Sequence, residues 1–146
     1  MTVLQTHPGR TFWVRLNPHD DLLLGLRAAV KESGIANGAI LAEVGSLSSY
    51  HTHVVSSVDL PPENAFTQGT GPFDILNVNG AILGGRVHAH ITFSNTIAAF
   101  GGHLEEGSTV LTFAIILIPE TPDVDLTVWD RVGPLATATH SGTRNG

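Results

Sequence analysis

Residues Arg86–Ser94 (RVHAHITFS) alternate without a break. Val87, Ala89, Ile91 and Phe93 are apolar, whereas Arg86, His88, His90, Thr92 and Ser94 are polar. A strand with one buried face suits that period, because a helix would scatter both sets around its circumference. The alternation therefore commits the chain to a two-faced β-sheet. It also puts His88 and His90 on one side of it, about 7 Å apart at Cα, with Arg86 beside them.

The rest of the chain supplies partners for that strand. Thr11–Leu16, Ala39–Val44, Tyr50–Val55, Phe73–Val78, Ile97–Phe100 and Thr109–Ile118 are β-rich and bounded by Gly, Ser, Asn or Pro, with Val124–Val128 a weaker candidate. One helix is punctuated clearly. Asn17 is the expected N-cap, Pro18 sits at the first helical position, and Asp20 and Asp21 suit the positive end of the dipole. Leu22, Leu26, Ala29 and Val30 recur at helical spacing, and Gly34 is the stop. Asp59–Pro72 reads as a long surface loop, Gly80–Gly85 as a turn between strands, and Gly133–Gly146 as a frayed tail. The expected fold class is α+β: a mainly antiparallel β-sheet with one principal packed helix. The 146 residues, 42% of them hydrophobic, suit one domain over 1–146 with its core at about 11–132.

Histidine is the unusual entry in the composition. There are eight, against seven lysines and arginines together, and no cysteine. Any metal site must then rest on imidazole and oxygen. A tight turn at Asn95–Thr96 would pair Ser94 with Ile97 and set His88 directly opposite His103, with His90 its diagonal neighbour. Any even loop there keeps the three histidines on one face, and an odd loop would need a bulge such as Gly101–Gly102 could host. Three imidazoles and an open position make a catalytic zinc arrangement. Zinc is the first expectation, and iron, nickel, cobalt and copper also suit imidazole. Arg86 would orient an anion, and Glu105 or Glu106 would act as general base. His51 and His53 form a second H-x-H that could extend the polar site or line a subunit contact; without a third partner nearby in sequence, a bland surface role is the first reading. His7, His19 and His140 are expected to be exposed. Trp13 and Trp129 are expected to pack. Phosphate-loop, nucleophile-elbow and dinucleotide-binding motifs are absent from the sequence.

The segment Val87–Gly107, VHAHITFSNTIAAFGGHLEEG, resembles the PPC ("plants and prokaryotes conserved", DUF296) family, with its H-x-H strand followed by G-G-H-L and a glycine. Arg15–Ile35, Ala42–Val54 and Phe73–Ile82 support the likeness in order and spacing. The resemblance implies a compact α+β domain assembled as a homotrimer, of the stand-alone prokaryotic type. Some such members hold a metal on the motif histidines, which correspond here to His88, His90 and His103. In plants the domain is joined to basic segments that grip the DNA minor groove, and no such segment occurs here. The sequence departs from the family at Ile115, where a glutamate is usual and this run, Phe113–Ile118, is wholly apolar.

Three functions follow as expectations. The first is a small metalloenzyme, of hydrolase, lyase or isomerase type, on a small anionic or carbonyl substrate. The second is a DNA-associated module. The third is a non-catalytic trimeric scaffold. Seven cations against thirteen acidic residues, a net charge of −6, argue against nucleic acid as partner. Met1–Arg10 lacks the apolar core of a signal peptide, and no run is long enough to span a bilayer, so a cytoplasmic protein without a membrane partner is expected.

Overall fold

The computed structural model describes residues 1–135. In chain order it contains β1 (Thr11–Leu16), α1 (Leu22–Ser33), β2 (Asn37–Ile40), β3 (Ala42–Val55), β4 (Asn64–Leu83), β5 (Arg86–Ser94), β6 (Ala99–Leu104) and β7 (Thr109–Pro119). The sheet runs β1-β7-β3-β6-β5-β4-β2, and β3 also pairs with β4, so β3, β6, β5 and β4 close into a ring. Every named pairing is antiparallel. Hairpins can make such a sheet without crossover helices.

The ring is filled from the inside. Tyr50 of β3 packs on Phe73 of β4 at 5.2 Å, Phe93 of β5 at 4.7 Å and Phe100 of β6 at 5.2 Å between ring centroids. Each strand of the ring thus contributes one aromatic side chain. The alternation of β5 then obliges His88 and His90 to face outwards, since Ala89, Ile91 and Phe93 are buried. Helix α1 buries Leu22, Leu23, Leu26 and Val30.

The helix begins four residues later than Asn17. Asp21 is the N-cap, accepting from the Leu24 N–H at 2.9 Å. Asn17 instead donates its backbone N–H to Asp20 Oδ2 at 2.8 Å. The His19 N–H donates to the Val110 carbonyl, and the Val110 N–H donates to that of Asp20, both at 2.9 Å. Pairing with β7 overrides helix formation there. Gly34, in the left-handed conformation at φ 68°, ends the helix as expected.

Other expectations are corrected. Much of Asp59–Pro72 is strand: Asn64–Thr70 pairs with Ser49–Val55, and only the connection before it is loop. Gly69 belongs in that strand because the Tyr50 ring lies where a side chain would begin; a Cβ there would sit 2.7 Å from Tyr50 Cε1. Gly80 to Leu83 are also strand, leaving Gly84–Gly85 as the turn. Val124–Val128 is not a strand: the Val124 carbonyl and the Leu126 N–H are both taken by the Asn37 side chain. Trp13 does not pack among the described residues and is 71% exposed. Within the expected tail, residues 136–146, and His140 with them, lie outside the described residues.

One polar group sits in the wrong place for an ordinary core. Glu43 of β3 pairs with Ile116 of β7, is 5% exposed, and neither carboxyl oxygen has a hydrogen-bond partner among the described residues. Burial pushes its pKa up from 4.5 to about 8.

Candidate metal centre

Strand β6 decides the site. Asn95 Oδ1 accepts from the Ile97 and Ala98 N–H groups, at 2.8 and 3.0 Å, which makes a four-residue turn instead of a two-residue one. Ser94 therefore pairs with Ala99 and not with Ile97. The loop is still even, so His103 keeps its face, but its direct partner becomes His90 in place of His88. On the other edge of β6, His103 pairs with His53 of β3. A row of imidazoles, His53–His103–His90, crosses three strands, with His88 two residues along from His90.

The rings are close. His103 lies 4.8 Å from His88, 5.1 Å from His90 and 4.5 Å from His53 between centroids. One ligand atom from each of His88, His90 and His103 can be chosen so that all lie within 4.8 Å of one another. His103 has its pKa lowered to about 4, first by burial and then by the neighbouring imidazoles. His90 is lowered for the same reasons. Neutral imidazoles present lone pairs, so the donor set fits a divalent transition ion. The centre lies on an open sheet face. A cavity of about 620 Å³ between α1 and the start of β5 reaches Arg86 and Val87, and none of the histidines lines it.

The charged residues expected at the site have specific partners. Arg86 grips Asp130 through two bonds of 2.9 and 3.0 Å and donates to the Thr127 carbonyl at 2.8 Å. This holds the Asp130 carboxyl down at about 2. Asp130 Oδ2 in turn lies 3.4 Å from His88 Nδ1. Glu105 faces His53, its Oε1 2.7 Å from His53 Nδ1. Glu106 points away and pairs with Arg27 at the surface. His51 Nδ1 donates to the Glu106 carbonyl at 2.7 Å, which ties β3 to the turn after β6. His53 thus has the third partner that its sequence neighbourhood lacks, while His51 is structural. His7 and His19 are exposed.

A family model for the Plants and Prokaryotes Conserved (PCC) domain matches residues 4–121. The chain belongs to the PCC domain family. Among solved structures, this PCC chain is similar to the plant- and prokaryote-conserved protein of Pyrococcus horikoshii, at 25% identity and TM-score 0.72 over 86% of this chain and 87% of that one. It shares its fold with a metal-containing protein from Archaeoglobus fulgidus, at 22% identity and TM-score 0.71 over 83% and 86% of the two chains. The same holds for a candidate DNA-binding protein from Bacteroides thetaiotaomicron, at 21% identity and TM-score 0.67 over 82% and 86%. The bifunctional protein GlmU of a Synechococcus strain is 27% identical over 75% of this chain, which spans only 17% of that curated relative.

Proposed function

We propose that this PCC protein binds a divalent metal on His88, His90 and His103 and is a small metalloenzyme for an anionic or carbonyl substrate. The observation that carries the reading is the convergence of three imidazoles from two adjacent strands, with ligand atoms within 4.8 Å. The metal content of the Archaeoglobus fulgidus protein of like fold agrees with it. Zinc is the first choice of ion, with iron, nickel, cobalt and copper compatible with the same donors. When bound, such an ion supplies Lewis-acid polarisation of a carbonyl or of water. The chain's own groups do the rest. Asp130 fixes the orientation of His88, and Arg86 holds Asp130, in the manner of a carboxylate that steers a ligating histidine. Arg86 is thereby spent on positioning rather than on a substrate anion. Glu105, held beside the imidazoles, is the group closest to a proton-transfer role, and Glu106 is too far engaged with Arg27 to share it.

The homotrimer fits an unsatisfied surface. The outer face of β1, β7 and β3 exposes Trp13, Val44, Leu111 and Phe113, with Ile115 between Arg15 and Val44 in the pairing. An apolar side chain at Ile115 suits a face covered by another copy. The chain then supplies one domain per subunit, built on the matched residues 4–121, and works in the cytoplasm. No helix among the described residues is long and apolar enough to cross a membrane.

Metal analysis of protein purified without a His tag tests the reading. About one or more equivalents of a transition metal in the native chain, with about one equivalent lost on His90→Ala, would support it. A metal-free native chain that takes up no zinc on dialysis would sink it and leave the scaffold. The DNA-binding alternative is favoured by the Bacteroides thetaiotaomicron relative. It is opposed by the net charge of −6. A titration against duplex DNA at low salt decides it, where counterion release would make genuine binding strongest.

A further inference from the structure

We propose that His53, His103 and Glu105 form a second cation position beside the first, so that the centre accepts two divalent ions with His103 common to both. The inference rests on the three-histidine reading and extends it with two residues outside the β5 H-x-H and the G-G-H-L motif, Glu105 then serving as a ligand in place of a proton carrier. One ligand atom from each of the three residues can be chosen so that all lie within 4.8 Å of one another, the same criterion that the first set meets.

The second set is built, not incidental. His53 is fixed by strand pairing with His103 on one side and by the Phe66 ring at 5.1 Å on the other. Glu105 is fixed through its backbone, whose N–H donates to the His51 carbonyl at 3.0 Å. The side chains are only 16% and 27% exposed, so neither is a freely swinging surface group. His53 Nδ1 and Glu105 Oε1 lie 2.7 Å apart. Two donors on one tetrahedral zinc, with bonds of about 2.0–2.1 Å, lie about 3.3 Å from each other. A shift of about half an ångström, with the proton that the pair shares moving to His53 Nε2 or to water, would open it around an ion.

Charge favours the arrangement too. The first set offers imidazole donors and no carboxylate, so it leaves a bound divalent ion its full charge. The second set brings a carboxylate to the adjacent position, in a chain of net charge −6. His103 can serve both positions because its ring has two nitrogens. Doing so removes its remaining ring proton, which passes to water as the second ion binds. The two sets flank His103 from opposite strands, β5 on one edge and β3 on the other.

Equilibrium dialysis of chelator-stripped, untagged protein against zinc chloride, with metal and protein assayed together, reads the stoichiometry. About two ions per chain are expected in the native protein, and about one in Glu105→Gln and in His53→Ala. Circular dichroism establishes that each variant is folded, and the near-isosteric Glu105→Gln keeps the test open if His53→Ala is not. Native protein holding one ion, with the same affinity in Glu105→Gln, overturns the second position and leaves the three-histidine reading intact. Native protein holding none overturns both. Cobalt gives an independent readout: the visible spectrum should change in two steps on titration, and a single step would count against two positions.

Discussion

At the scale of single residues, the His88–Asp130–Arg86 chain is the contact that sequence could least reveal. Asp130 is separated from His88 by 42 positions. It lies in a stretch without periodicity, where no pattern fixes which way a side chain points. Arg86 was legible as a neighbour of the histidines, and its partner was not. An arginine at a strand start reads the same whether it faces a substrate or an aspartate. If Asp130 steers His88, Asp130→Asn should weaken zinc binding by about 10- to 100-fold while leaving thermal stability of the metal-free protein nearly unchanged. Competition with a chromophoric chelator measures the first quantity and a melting curve the second. Arg86→Ala should weaken binding in the same direction by a smaller factor, because Asp130 then loses its anchor but keeps its charge.

Among the elements, those with an unbroken period were legible and those held by long-range pairing were not. Strands β1 and β5 have the limits that the sequence gives them, and the buried face of α1 is the one its spacing predicts. The first half of β4 was hidden because its glycines and proline imitate a loop; Gly69 is there to make room for a ring, which only the folded chain reveals. The three motif histidines were legible as a set because any even turn preserves their face. Their exact neighbours depended on Asn95, whose side chain lengthens the turn. His53 was hidden because its partner comes from 50 positions away. The helix start differs from the one the sequence suggests because Asn17–Pro18 satisfies the local rule while β7 claims the backbone. Asp21 performs that capping role and also accepts the Gly107 N–H at 2.6 Å. Asp21→Ala should therefore cost about 1–2 kcal/mol, towards the high end for a cap, in urea-induced unfolding. Asn17→Ala should cost less than Asp21→Ala, and the reverse order would restore the cap to Asn17.

For the molecule as a whole, the buried Glu43 ties stability to pH. The folded carboxyl keeps its proton up to about pH 8, whereas in the unfolded chain it releases it near 4.5. Its contribution is therefore full below about pH 4.5 and is lost as pH rises towards 8, since the unfolded state comes to bind fewer protons than the folded one. A shift of this size corresponds to a few kcal/mol, at about 1.4 kcal/mol per unit. Urea midpoints across pH 5 to 8 should fall more steeply in the native protein than in Glu43→Gln, which has no proton to release. Parallel slopes would mean that the folded protein does not hold Glu43 protonated. The sheet has a second property of this global kind. Strand β3 is paired with β7 along its first part and with β6 at Thr52 and His53, while β4 runs beside it for most of its length. It is the splice on which the ring and the outer strands are both hung, and the imidazole row lies at the end where β6 takes over. Ions seated in that row would act as rivets across β3, β6 and β5. Peeling one of these strands from its neighbour would then mean breaking coordination bonds as well as a ladder, so backbone amides flanking the row should exchange with solvent markedly more slowly once metal is added.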